Sequence, residues 1–183
     1  MKRLLLHVCC GPCSTEVIRR LREEYEVVPC FYNPNIFPRQ EYERRMAEAE
    51  KYAAEHGMHF VFGDYDHDGW LEAVRGLEGE PEGGKRCAAC FAHRLKASAR
   101  KAREEGAELF TTTLTISPHK NAAAVNAAGE EAGRDAGVAF VAADFKKKDG
   151  FLKSCSAARE AHMYRQDYCG CEFSLAARKA ARK

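Results

Sequence analysis

A single Rossmann-like α/β domain with a mostly parallel sheet is what this sequence predicts. Five short apolar runs alternate with helical patterns, which implies parallel strands joined by right-handed crossovers. The chain has 183 residues, 45% of them hydrophobic, enough for one proper core. Its most unusual loops follow the first and fourth runs, where such folds gather ligands beyond the carboxyl ends of the strands.

RLLLHV at 3–8 suits a buried strand, and Val17, Ile18 and Leu21 then recur at helical spacing between Ser14 and Glu24. EVVPCFY at 26–32 reads as a second strand. The charged stretch from Gln40 to His56 reads as a helix closed by Gly57. HFVFGDY at 59–65 is the expected third strand; the acidic, glycine-rich GLEGEPEGGK then leads into a helix from Arg86 to Glu105, ended by Gly106. ELFTTTL at 108–114 is the fourth strand, and Ser117-Pro118 opens a helix to about Asp135, with serine as N-cap and proline in the first turn. VAFVA at 138–142 is the fifth strand, and the chain beyond about residue 144 folds back as an irregular or helical segment. Residues 1–175 form the domain, and the basic tail AARKAARK at 176–183 is expected to be flexible or a solvated helix.

A net charge of +2 advertises no global field for nucleic acid, so local basic clusters must carry any such argument. Nine cysteines are many for an intracellular chain, and the odd count disfavours a closed disulfide framework. The N-terminal apolar run is shorter than a signal-peptide core of roughly 7–15 residues. No segment approaches the roughly 20 apolar residues of a membrane helix. A cytoplasmic protein is expected, where unusual cysteine density means metal or redox chemistry.

Seven cysteines fall in turns: Cys9, Cys10 and Cys13; Cys87 and Cys90; Cys169 and Cys171. Cys30, inside a strand, and Cys155 read as small core hydrophobes. C-A-A-C at a helix start lets two thiolates face one metal centre, where the dipole lowers their pKa. With a second pair on a strand-end loop, four thiolates form the usual complement of tetrahedral zinc or an iron–sulfur cluster. Adjacent cysteines make a poor zinc knuckle, whereas a cluster offers separate corners, so the cluster is the preferred reading. Cys13, Cys169 and Cys171 are left over. The C-x-C pair can close a strained, labile disulfide that exchanges two electrons, or the trio can bind a second metal ion.

Substrate contacts are expected around these thiols. Ser117, His119 and Lys120 at a helix start form a candidate phosphate site. FYNPNIFP at 31–38 offers Tyr32 for base stacking and Asn33 for hydrogen bonding. Lys147 within KKK, together with Arg86, Arg94 and Lys153, supplies backbone-neutralising charge. YRQDYCGC links Tyr164, Arg165 and Gln166 to the last cysteines.

HVCCGPC, NPNIFP followed by EYERR, GGKRCAACFAHRL, FTTTLTISPHKN, DFKKKDG and YRQDYCGCEFS occur in that order from Leu4 to Ser174. Together they resemble the QueH-type epoxyqueuosine reductases. The resemblance implies a nucleotide-alpha-hydrolase-like fold with a C-terminal metal-binding segment. It implies reduction of the epoxide of epoxyqueuosine, at the wobble position of tRNA, to queuosine with loss of water. It further implies a [4Fe-4S] cluster on Cys9, Cys10, Cys87 and Cys90, and a redox-active, disulfide-forming pair at Cys169 and Cys171. Some relatives carry aspartate where this chain has Cys13, a donor position able to serve an additional iron ion. Lys120 or Tyr164 is the expected proton donor, the electron donor is left unnamed, and a monomer is expected. Competing readings are a zinc-stabilised RNA-binding module, a general thiol–disulfide oxidoreductase and an ATP-dependent tRNA-thiolation enzyme. The last would need an S-G-G-x-D-S-like phosphate loop where this chain has CCGPCS.

Overall fold

The computed structural model describes residues 1–182; Lys183, the end of the expected basic tail, lies outside the described residues. The elements are β1 (Lys2–His7), α1 (Gly11–Leu21), β2 (Tyr25–Phe31), α2 (Arg39–Glu55), β3 (Val61–Phe62), α3 (His67–Ala73), α4 (Lys85–Glu104), β4 (Leu109–Thr112), α5 (Ala122–Ala136), β5 (Ala139–Phe140), α6 (Gly150–Glu160) and α7 (Glu172–Ala181). A 3₁₀ turn, Thr113–Ile116, follows β4.

The strands form one parallel sheet in the order β3-β2-β1-β4-β5. β1 is central, with Leu4 opposite Val27 on one side and Leu109 on the other. Helices cover both faces, which is why its apolar run is continuous rather than alternating. Leu5 faces Leu95 and Ala99 of α4 and Val125 of α5. Leu4 and Leu6 face Val17 and Ile18 of α1 and Ala49 of α2. All three leucines are fully buried, each contributing about 1.5–3 kcal/mol.

The chain winds outward from β1 through β2 to β3, then crosses back to lay β4 on the other flank of β1. Strand order therefore reverses between β1 and β4, and their carboxyl ends open the crevice where this architecture binds ligands. No helix among the described residues is long and apolar enough to cross a membrane.

Several boundaries differ from expectation. α1 begins at Gly11 rather than Ser14, with Pro12 in its first turn and Cys10 as N-cap, so Cys13 is already helical. A Cβ on Gly11 would lie 2.7 Å from the end of the Met163 side chain and 3.3 Å from Glu48 Cβ, so α2 and the C-terminal segment approach α1 closely here. β3 and β5 shrink to two residues each, as befits sheet edges that limit exposed pairing groups. α3, unanticipated, is capped by Asp66, whose Oδ1 accepts from Gly69 N at 2.9 Å, and it buries Trp70.

The largest correction concerns Ser117-Pro118. α5 starts only at Ala122, because Asn121 Oδ1 caps it by accepting from Ala123 N at 2.9 Å and Ala124 N at 3.2 Å. Ser117 instead closes a tight turn, its carbonyl accepting from Lys120 N at 3.3 Å. His119 and Lys120 thus precede the helix rather than lying in its first turn, where the phosphate site was expected. From residue 176 the chain continues α7 as far as Ala181.

Candidate active site

Two adjoining cavities open at the carboxyl edge of the sheet, between β1, β4 and the C-terminal segment. The larger, about 700 Å³, is lined by Cys9, Cys13, Asn33, Ser117 and Arg165 among others. The smaller, about 150 Å³, is lined by Cys87, Cys90 and Cys171. Asn35, Glu82, Arg94, His119, Lys120 and Cys169 line both and form the seam.

Cys9, Cys10 and Cys13 present sulfurs that all lie within 4.8 Å of one another. Cys9 Sγ stands 3.9 Å from Cys10 Sγ, and its backbone N donates to Thr113 Oγ1 at 3.0 Å, tying the β1 loop to the β4 loop. The three share protons unequally. Hydrogen bonds from Cys10 and then Cys13 hold the Cys9 thiol well below its ordinary pKa, and the Lys120 cation adds to this. Cys13 is pushed well up, because Cys10 and Cys9 draw on its proton. Gln166 Nε2 donates to Cys10 Sγ at 3.1 Å, bringing the C-terminal segment over the trio.

Cys87 and Cys90 come from the first turns of α4, and Cys171 caps α7, its Sγ accepting from Ser174 N at 3.4 Å. Burial pushes Cys87 up, and Cys171 up to about 11. Of the four expected cluster ligands, Cys9 lines the larger cavity and Cys87 and Cys90 the smaller, while Cys10 lines neither; Cys13 joins Cys9 on the larger. All nine cysteines are free, so the expected Cys169–Cys171 disulfide is not formed in this structure. Cys30 is fully buried in β2, where burial pushes its thiol up to about 12.

A basic pair stands between the thiol groups. Lys120 is half-buried; burial alone lowers its pKa, but Cys169, Cys9 and Cys13 outweigh this and the net shift is upward. Arg94 is buried, donates to Asn33 Oδ1, and lies 3.9 Å from Cys90 Sγ. Seven thiols with two cations among them suit a thiolate-bound, net-negative metal group. That donor set fits the iron–sulfur cluster the resemblance implies.

The other expected residues separate by position. Asn33 lines the larger cavity, but its carboxamide is committed to Arg94 and, through Nδ2, to Val8 O at 2.9 Å. Arg165 lines the same cavity and donates to Cys155 Sγ at 3.2 Å. Arg86 lines the smaller one, and it straps the acidic loop by donating to the carbonyls of Glu78 and Glu80. Tyr32, Lys147 and Tyr164 line neither. Tyr32 stacks on His93, and Lys147 is exposed. Tyr164 donates to Glu41 at 3.0 Å beneath the Arg44 guanidinium.

Two residues escaped the sequence reading. Arg45, only 2% exposed, pairs with Glu41 at 2.7 Å and donates to Cys169 O at 3.1 Å and Tyr168 O at 3.4 Å. It shares a helical stripe with the buried Tyr42, Ala49 and Ala53, and a cation on such a face was the available signal. Asn35, beside the C-G-C turn, had none beyond its turn-forming N-P-N context.

A family model described as epoxyqueuosine reductase QueH matches residues 4–177. The epoxyqueuosine reductase QueH of Streptococcus pyogenes serotype M1 is 39% identical over 177 residues, covering 93% of this chain and 69% of that relative. The one from Thermotoga maritima is 36% identical over 182 residues, covering 98% and 93%. Among solved structures, the U34-tRNA thiolase NcsA from Methanococcus maripaludis, with its [4Fe-4S] cluster, superposes at a TM-score of 0.55 and 13% identity. That match covers 91% of this chain but only 58% of the thiolase. A predicted subunit of tRNA methyltransferase from Methanocaldococcus jannaschii also gives 0.55, at 11% identity, covering 84% and 74%. At such identities these two show a shared fold and nothing more. On the family match and these relatives, the chain belongs to the QueH family of epoxyqueuosine reductases.

Proposed function

We propose that this chain reduces the epoxide of epoxyqueuosine, carried at the wobble position of tRNA, to the alkene of queuosine with release of water. The observation that carries this reading is the convergence of six thiols, from three distant stretches of a QueH-family chain, on two adjoining cavities, with Cys10 grouped beside Cys9 and Cys13. Both epoxide C–O bonds break, and two electrons and two protons are consumed for each water formed. Cys169 and Cys171, oxidised from dithiol to disulfide, balance that equation, and an external reductant restores them.

Cys9, Cys10, Cys87 and Cys90 would hold a [4Fe-4S] cluster, with Cys13 available to an additional iron ion. Such a group supplies one-electron transfer and a Lewis-acidic iron for the epoxide oxygen. The protein's own residues do the rest. Arg94 and Lys120 offset the negative charge of the thiolates between which they stand. Lys120, which lines both cavities, would hold a proton at the seam and pass it to the departing oxygen. Tyr164 is the weaker donor, since its hydroxyl is spent on Glu41. Ile36, Leu114 and Ile116 wall the larger cavity and exclude water from the reacting carbons. Lys147 and Lys148, both exposed, are placed to meet RNA phosphates. A cytoplasmic site of action goes with tRNA as substrate.

The test is turnover by protein purified anaerobically and reconstituted with iron and sulfide, given a chemical reductant and tRNA bearing epoxyqueuosine. Nucleoside mass analysis should show loss of one oxygen. A colourless protein holding stoichiometric zinc and leaving the epoxide intact would instead favour an RNA-binding module.

A further inference from the structure

Folding leaves two of the seam residues incompletely bonded. Asn35 is 2% exposed and Arg94 3% exposed, yet Asn35 Oδ1 and Arg94 Nε have no hydrogen-bond partner among the described residues. Buried polar atoms in native proteins are nearly always satisfied, and two such unpartnered groups on residues that line the same two cavities point to a ligand that completes them. Asn33 makes the contrast: it is equally buried and close in sequence, but both ends of its carboxamide are used within the protein.

We propose that Asn35 and Arg94 recognise the vicinal hydroxyl groups on the substrate's five-membered carbocycle, a claim that rests on epoxyqueuosine being the substrate. A hydroxyl is the group that satisfies both atoms. It donates its proton to Asn35 Oδ1 and accepts from Arg94 Nε. A phosphate offers acceptors only and would leave the asparagine oxygen open. Epoxyqueuosine carries two hydroxyls on the ring that bears the epoxide, so this contact fixes the ring itself. Ile36, Leu114 and Ile116 supply the apolar wall for its carbons. The carboxamide also abuts the redox turn: a Cβ on Gly170 would lie 3.4 Å from Asn35 Nδ2. A ring held here therefore sits beside Cys169, which lines the same two cavities. Asn35 becomes a specificity-determining residue, reading the modification rather than the RNA.

The experiment measures binding of two anticodon stem-loop RNAs, one carrying epoxyqueuosine and the other guanosine at the same position, to the reconstituted full chain. Asn35→Ala should weaken binding of the epoxyqueuosine RNA by about 10- to 100-fold, the loss expected when a buried polar partner is removed. Binding of the guanosine RNA should stay within about 2-fold, and in turnover KM should rise more than kcat falls. If the alanine variant does not fold, Asn35→Ser carries the same test. Equal losses on both RNAs, or no loss on either, would overturn the diol site. If the unaltered protein fails to reduce epoxyqueuosine at all, the functional reading itself has failed. Reduction by the unaltered protein with unchanged binding in the variants would sink the diol site alone.

Discussion

Cys9, Cys10 and Cys13 stand where the central strand passes into α1, while Cys169 and Cys171 stand in the turn that leads into α7. The first group is fixed by backbone geometry at the switch point, by Thr113 and by shared protons. The second depends on side chains reaching in from elsewhere. Arg45 holds the carbonyls of Tyr168 and Cys169, and Gly170 between the cysteines adopts φ 133°, a conformation that L side chains rarely take. A rigid group whose sulfurs already converge suits metal ligation, where geometry must not change with turnover. A glycine-hinged turn clamped by one arginine suits a pair that alternates between dithiol and disulfide. The difference supports the proposed division, with the trio in the ligand shell and the C-G-C turn in electron transfer.

The sharpest way to break this division is at the turn. Cys169→Ser should lower turnover by about a thousandfold or more, measured as single-turnover reduction of epoxyqueuosine by prereduced protein. Arg45→Ala comes next. Removing it leaves Glu41, 12% exposed, without its cationic partner and with only the Tyr164 hydroxyl, and should cost about 3 kcal/mol in urea unfolding. Alkylation of Cys169 should quicken as its turn loosens, while the absorption of the iron–sulfur group stays unchanged.

Acid should weaken the scaffold by a comparable amount, through residues beneath the trio rather than the turn. His7 is fully buried between Thr112 Oγ1 at 2.8 Å and Tyr32 O at 3.1 Å, and burial followed by the Arg94 charge lowers its pKa to about 3. The unfolded chain binds a proton near pH 6.5 that the folded chain refuses. Stability is thus full above that pH and falls by about 3 kcal/mol between pH 7 and pH 4. Glu16, held at about 2 by Arg19 and Arg20 against its burial, adds a second loss, which sets in only below about pH 4.5. His7→Gln should flatten the upper part of this profile, and a profile unchanged by that substitution would contradict the assignment. The smallest effect lies at the rim. Lys147→Glu with Lys148→Glu should weaken RNA binding by about 3- to 10-fold and make its salt dependence shallower, without touching iron content.

What was legible in the sequence follows a physical pattern. β1 could be read because burial on both faces leaves an unbroken apolar run, and the thiols because no ordinary turn needs seven cysteines. The sheet order, with its reversal between β1 and β4, places HVCCGPC and TTLTISPHK on one edge as expected. The start of α5 was misread because Ser117-Pro118 and Asn121 are both sound helix starts, and in the fold it is Asn121 whose side chain caps the helix. Arg45 and Asn35 stayed hidden for a different reason. Arg45 is covered by the segment from Tyr168 to Cys169, more than 120 residues away in sequence, and Asn35 abuts Gly170 of the same turn. Local periodicity puts Arg45 on a buried helix face but carries no trace of the distant segment that covers it.

The division of labour is tested most directly by iron content and visible absorption of two variants purified anaerobically side by side, Cys87→Ser and Cys169→Ser. Loss of iron and colour in the first, with both retained in the second, is the predicted result. Equal loss of iron from both, or full retention in both, would contradict it.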